Sequence, residues 1–261
     1  MPTDPSAAKV SPKLPLWIKL SYTAFVAVLV PYYWHEYGPT NFLYFCDVAL
    51  FLALLTCWTE RPIYASMAAI GISIPQLLWQ VDFIGHGLGF PVAGMTEYMF
   101  DSGISLFARG LSFFHFWLPL MLIFFLWRLG YDRRALPAWS GLAWILILTS
   151  YFVLPPAGAV LDYPNQPHNV NYVFGMNDAE PQSWMPPQAW LTLLLVGLPT
   201  FVYLPTHLLF SRLFSDRDAS GIEPDLPDVD VGVLTGSTDS WIRRIRSTRR
   251  PSDRIGLHER L

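Results

Sequence analysis

Gln188 to Phe210 reads QAWLTLLLVGLPTFVYLPTHLLF, 23 residues without an Asp, Glu, Lys or Arg. Wound as a helix rising 1.5 Å per residue it would be about 35 Å long, enough to cross a hydrocarbon core of about 30 Å. Upstream, five more stretches have the same character: Leu16 to Trp34, Asn41 to Trp58, Ile63 to Ile84, Leu111 to Leu129 and Leu136 to Leu154. Charge, Pro or Gly bounds each of them. None alternates apolar and polar residues, which sets aside a membrane β-barrel. The pattern predicts an all-α polytopic membrane protein, a six-transmembrane-helix bundle over residues 16–214.

Composition agrees. The chain has 261 residues, 52% hydrophobic, 16% aromatic and 14% charged. Soluble domains average about 25% charged residues, so the composition argues against an ordinary cytosolic enzyme and against a disordered protein. A net charge of −3 gives no argument for a nucleic-acid partner, and two cysteines cannot build a secreted disulfide framework. The first span is too long for a signal-peptide core, and Pro31, Tyr32, Tyr33 and Trp34 follow where a small-residue cleavage site would stand.

Lys and Arg orient the bundle. Lys9, Lys13 and Lys19 precede or begin the first span, Arg61 lies in the second loop, Arg128, Arg133 and Arg134 surround the fourth, and Arg212 and Arg217 follow the last span. The first and fifth loops have none, and the third has only Arg109. This alternation predicts cytoplasmic termini in the cell (inner) membrane and an even number of spans. Trp17, Trp58, Trp127 and Trp139 fall at inner ends and Trp34, Trp79, Trp184 and Trp190 at outer ends, the level where an apolar ring with one N–H settles.

The flanks differ from the core. Residues 1–15 form a cytoplasmic N-terminal segment, and 215–261 a tail that is first acidic and then basic. A segment that polar cannot bury enough surface to offset its ordering entropy and is predicted to be disordered. Around Trp241 the residues Arg243, Arg244 and Arg246 make a pattern for contact with anionic lipid.

Ionisable groups are costly in hydrocarbon and tend to face a partner or a wet cavity. Asp47 lies six residues into the second predicted helix, about 9 Å along its axis, with Cys46 beside it. His115 lies about one turn into the fourth. Gln76, Gln80 and Asp82 end the third, and His168, Asn169, Asn171 and Tyr172 lie in the fifth loop. All of these fall in the outer half of the membrane, where they could line one pocket. Packing and hydrogen-bonding roles compete with function at each: Asp47 stands evenly between the two, Cys46 alone suits a small apolar filler, and Asp82, near the water interface, suits a solvated helix end. Pro75, Pro119 and Pro205 interrupt three spans, and Pro119 frees the carbonyl of His115. The histidines have no metal-ligand spacing, and there is no phosphate loop or serine elbow, so no metal or cofactor is predicted.

Several strings carry a family resemblance: Leu20-Ser-Tyr-Thr-Ala-Phe25, Tyr37-Gly-Pro-Thr-Asn-Phe-Leu43, Asp47-Val-Ala-Leu-Phe-Leu52, Gly130-Tyr-Asp-Arg-Arg-Ala-Leu136, Asn171-Tyr-Val-Phe-Gly175 and Tyr203-Leu-Pro-Thr-His-Leu208. They resemble a group of uncharacterised bacterial membrane-associated proteins over about residues 14–214. More distantly the chain is similar to the YwaF-like six-helix membrane family, whose vertebrate branch contains lipid acyltransferases using a membrane cysteine with histidine help. That resemblance implies roles for Cys46, for His115, and for Asn171 with Tyr172. Tyr44 stands where the pattern has a His two residues before the cysteine.

Two function classes follow. In a lipid-modifying enzyme, by acyl transfer or hydrolysis, Cys46 would be the nucleophile, His115 its base and Asp47 an orienting group, with Asn171, Tyr172, Gln80 and Asp82 on the substrate. In a non-catalytic lipid-binding or scaffold protein, Asp47 and His115 only hold helices together, and the tail engages anionic lipid or partners. Membrane lipid is the partner in both.

Overall fold

The computed structural model describes residues 13–90, 92–159, 165–177 and 180–214; the tail 215–261 with Arg243, Arg244 and Arg246, and most of the N-terminal segment, lie outside the described residues. Helices and short 3-10 turns make up the regular structure, with no strand among the described residues. In order they are α1 (Leu16–Tyr37), α2 (Phe45–Thr59), α3 (Pro62–Gly87), α4 (Leu106–Ser112), α5 (Phe114–Leu129), α6 (Ala135–Phe152) and α7 (Pro187–Leu213). Five helical segments are long and apolar enough to cross a membrane: α1, α3, the α4–α5 pair, α6 and α7. The remaining predicted span, Asn41 to Trp58, is shorter. Its apolar run from Asn41 is continuous, but Gly38 and Pro39 open a 3-10 turn over Pro39–Leu43, and Tyr44 is extended, so the helix proper starts only at Phe45.

Local chemistry sets the breaks. α2 ends on Glu60 in the left-handed conformation, and Pro62 opens α3 at a position where its missing N–H costs nothing. α5 ends at Gly130, whose φ of 85° suits a residue without a Cβ. In α7 the turns from Leu193 to Tyr203 widen to π geometry around Pro199. In an α register the carbonyl of Leu195 would need an N–H that Pro199 lacks, and the Trp144 indole of α6 donates to it at 2.8 Å.

α3 is the centre of the bundle and packs against α2, α5, α6 and α7. Its first half buries small side chains, Ala65, Ser66, Ala68 and Ala69, which let neighbouring backbones approach. At Gly71 the Trp139 ring of α6 occupies the space a Cβ would need, so any larger residue there drives the two helices apart. Trp139, Phe114, Phe125, Leu118 and Leu122 fill the interior.

Opposite ends of the bundle carry different chemistry. One, the basic end, gathers Lys13, Lys19, Arg61, Arg128, Arg133 and Arg134. Glu60 there accepts from the Lys19 ammonium at 2.6 Å and from the backbone N–H groups of Lys13 and Leu14. Arg128 donates to the Lys13 carbonyl, Arg134 pairs with Asp132, and the Tyr131 hydroxyl meets His207. The other, the loop end, holds the three long connections and every site residue predicted above.

Candidate functional site

The first turn of a helix leaves backbone N–H groups without intrahelical partners. At α2 no side chain of its own caps them. Instead Asn171, from the loop before α7, accepts from the Phe45 N–H at 3.0 Å and donates to the Leu43 carbonyl at 2.9 Å, with Ser150 at 3.4 Å. The loop is shaped for this. Asn169, Asn171 and Tyr172 all have positive φ, near 54°, 60° and 58°. Asparagine tolerates that region because its short amide bonds locally. Asn169 does so, donating to the carbonyls of Gly175 and Asn177 and accepting from the Phe174 N–H. Tyr172 has no such excuse, and its backbone is held by Trp190, whose indole donates to the Tyr172 carbonyl at 2.9 Å.

Asn171 thereby reaches the segment that bears Cys46 and Asp47. Because α2 starts at Phe45, Asp47 stands in the first turn rather than six residues in. It is 4% exposed. Its Oδ2 accepts from the Asn41 amide at 3.3 Å, the Cys46 thiol lies 4.0 Å from the same oxygen, and Oδ1 is buried with no hydrogen-bond partner. Among the described residues no cation pairs with it.

His115, expected about one turn into its helix, is the second residue of α5. The helical run begins at Leu106 and breaks at Phe113, so His115 lies just beyond the break. Its Nδ1 is 2.6 Å from the Ser112 carbonyl, which can only accept, so Nδ1 carries the proton. The ring stacks on Trp79 at 5.1 Å. The carbonyl that Pro119 frees is covered by Gln80, whose amide donates to His115 at 3.5 Å and to Phe116 at 3.1 Å. No hydrogen bond joins His115 to Cys46 or Asp47 among the described residues.

Asp82 departs most from expectation. It is not a solvated helix end but fully buried. Oδ1 accepts from the N–H groups of Val92, Ala93 and Gly94 at 2.8, 2.6 and 3.1 Å, and Oδ2 from the N–H and hydroxyl of Thr96 at 2.9 and 2.8 Å. Both oxygens are therefore occupied by the loop that follows α3.

That loop supplies a residue the sequence did not announce, Tyr98. Burial raises its pKa, and Tyr98 lies within electrostatic reach of Cys46 and Tyr172. Ser112 meets the Tyr33 hydroxyl at 2.7 Å. A lone Tyr in a Gly-containing loop carries no periodicity, so nothing in the chain's pattern marks it. Among the described residues no three His, Cys, Asp or Glu gather as a metal site. The chain finds no match among family models, curated proteins or solved structures.

Proposed function

We propose that the chain is a multi-pass membrane protein with six spans and both termini in the cytoplasm, and that its outward loop end is a rigid lipid-binding or scaffold surface rather than a cysteine enzyme. The observation that carries this is the hydrogen bonding of the supposed catalytic groups. His115 gives its Nδ1–H to the Ser112 carbonyl at the end of α4, and the hydrogen-bond partner of the Cys46 thiol is the Asp47 carboxyl group, so no histidine is bonded to the thiol. Asn171, Gln80 and Asp82 hold backbone rather than empty space.

The sixth span rests on contour length: α2 supplies about 22 Å and the 3-10 turn before it about 10 Å, together near the bilayer thickness. The basic and basic-poor alternation supports the orientation. On this reading the similarity to the YwaF-like family is one of architecture.

The experiment incubates purified protein with acyl-labelled phospholipid and compares the parent with Cys46→Ala and His115→Ala. Retained lipid with no turnover in any of the three supports the proposal. Turnover in the parent that both substitutions abolish would overturn it in favour of acyl transfer, a reading favoured by the placement of Asn171 beside Cys46.

A further inference from the structure

Beyond Gly87 the chain does not rise away from α3 but turns back along it. The Phe90 N–H returns to the Gly85 carbonyl at 2.9 Å, and the N–H groups of Val92, Ala93 and Gly94 return to Asp82. Asp82 lies five residues before the helix end, about 7.5 Å along the axis at 1.5 Å per residue. The stretch around Val92 therefore runs beside the last turns of α3, level with them.

Those turns are lipid-facing if α3 spans. Leu77, Val81, Ile84 and Leu88 are all well exposed and lie at helical spacing on one side. Phe90 and Val92, 60% and 57% exposed, continue that apolar strip onto the loop. The charged residues Glu97 and Asp101 come later in the loop and are also exposed. Irregular backbone is tolerated at membrane depth only where its polar groups are satisfied inside the protein. Asp82 meets that condition for the N–H groups of Val92, Ala93, Gly94 and Thr96, which also explains why a carboxylate with no cation is fully buried there.

We infer that the segment after α3 is a re-entrant loop seated in the bilayer, with Leu88, Phe90 and Val92 against the lipid of the leaflet at the loop end and Glu97 and Asp101 in water. The occupant is lipid because the strip continues a surface that already faces lipid. The inference rests on the membrane reading above and adds which loop the leaflet covers.

The test is spin-label accessibility in full-length protein reconstituted into phosphatidylcholine and phosphatidylglycerol vesicles. Nitroxides go on Phe90→Cys and Val92→Cys, on Asp101→Cys as the aqueous reference, and on Leu120→Cys as the mid-span reference, all exposed positions in a Cys46→Ser, Cys57→Ser background. The expected result is loss of collisions with a water-soluble nickel chelate at 90 and 92, with oxygen collisions retained, while 101 stays open to the chelate. Chelate access at 90 equal to that at 101, with 120 still shielded, overturns the loop inference alone. Shielding of 90 from both relaxers means protein contact, a second copy or another chain, and also overturns it. Chelate access at 120 overturns the membrane reading itself. Should the double-serine background fold poorly, brominated-lipid quenching of a Phe90→Trp variant, compared with the parent, reads the same depth with the native cysteines in place.

Discussion

At the basic end, Glu60 holds the Lys19 ammonium and two backbone amides, and Asp132 holds Arg134. At the loop end, Asp82 holds five donors of which none is a cation, and Asp47 holds two weak donors, the Asn41 amide and the Cys46 thiol. The ends thus neutralise their carboxyl groups by different means. Where lysine and arginine are abundant, charge meets charge. At the loop end Arg109 is the one Lys or Arg among the described residues, and it donates to the Met99 carbonyl instead. There the partial positive charge of oriented peptide N–H groups does the work, a nest in the sense used for anion-binding loops. The second solution has a structural consequence the first lacks: the donors are main chain, so the carboxylate dictates the path of the loop.

The largest effect should come from removing that organiser. Asp82→Ala would leave four amides and a hydroxyl without their acceptor, and a loss of about 3–5 kcal/mol is expected, since hydrogen bonds to a charged group contribute about 1.5–3 kcal/mol each and are not additive. Thermal unfolding in detergent, with protease mapping of residues 92–105, measures it; a melt unchanged within error would mean the loop holds itself.

Glu60→Gln at the basic end should cost less, about 1–3 kcal/mol, because its ion pair is partly exposed. It should also change the response to acid. Burial raises the Glu60 pKa, but the Lys19 ammonium and the Lys13 and Leu14 amides outweigh it and leave the carboxyl below its ordinary value. A carboxylate lowered on folding contributes stability that is complete above the unfolded pKa of about 4.3 and is lost as the pH falls through the folded value. The parent melting temperature should therefore drop below about pH 4 by an amount that Glu60→Gln diminishes.

Asp47→Asn separates the two aspartates of the loop end. Without a cation or a full set of donors, the carboxyl group gains little from its charge, and the isosteric amide should shift stability by less than about 1 kcal/mol in either direction. A loss as large as that of Asp82→Ala would reveal a partner for Oδ1 and erase the distinction. Smallest of all, Arg134→Ala, with a side chain 81% exposed, should leave the melting temperature unchanged.

The long apolar helices were legible because 18 or more predominantly apolar residues admit few other structures, and α1, α3, α6 and α7 begin within a residue or two of their predicted starts. α2 misled because apolar content extends beyond its helix: Asn41 to Tyr44 is apolar enough to continue the pattern, while Gly38 and Pro39 decide the backbone. Asp82 was placed in water because its position, near a helix end, says nothing of backbone donors ten to fourteen residues later. Asn171 was grouped with the Cys46 segment by predicted depth, but its contact with the Phe45 N–H, a helix cap, could not be read from position alone.

The Asn171 cap also bears on the order in which the molecule can be completed. Its acceptor and the amide it serves are 126 residues apart. During synthesis the start of α2 emerges long before the loop that seals it, with α3, the α4–α5 pair and α6 still to come. Until then the Phe45 amide lacks its permanent acceptor, and the segment holding Cys46 and Asp47 cannot take its final form. A chain truncated before residue 171 would thus be able to wind its early helices yet carry an unfinished loop end, which makes arrival of that asparagine a late checkpoint in assembly.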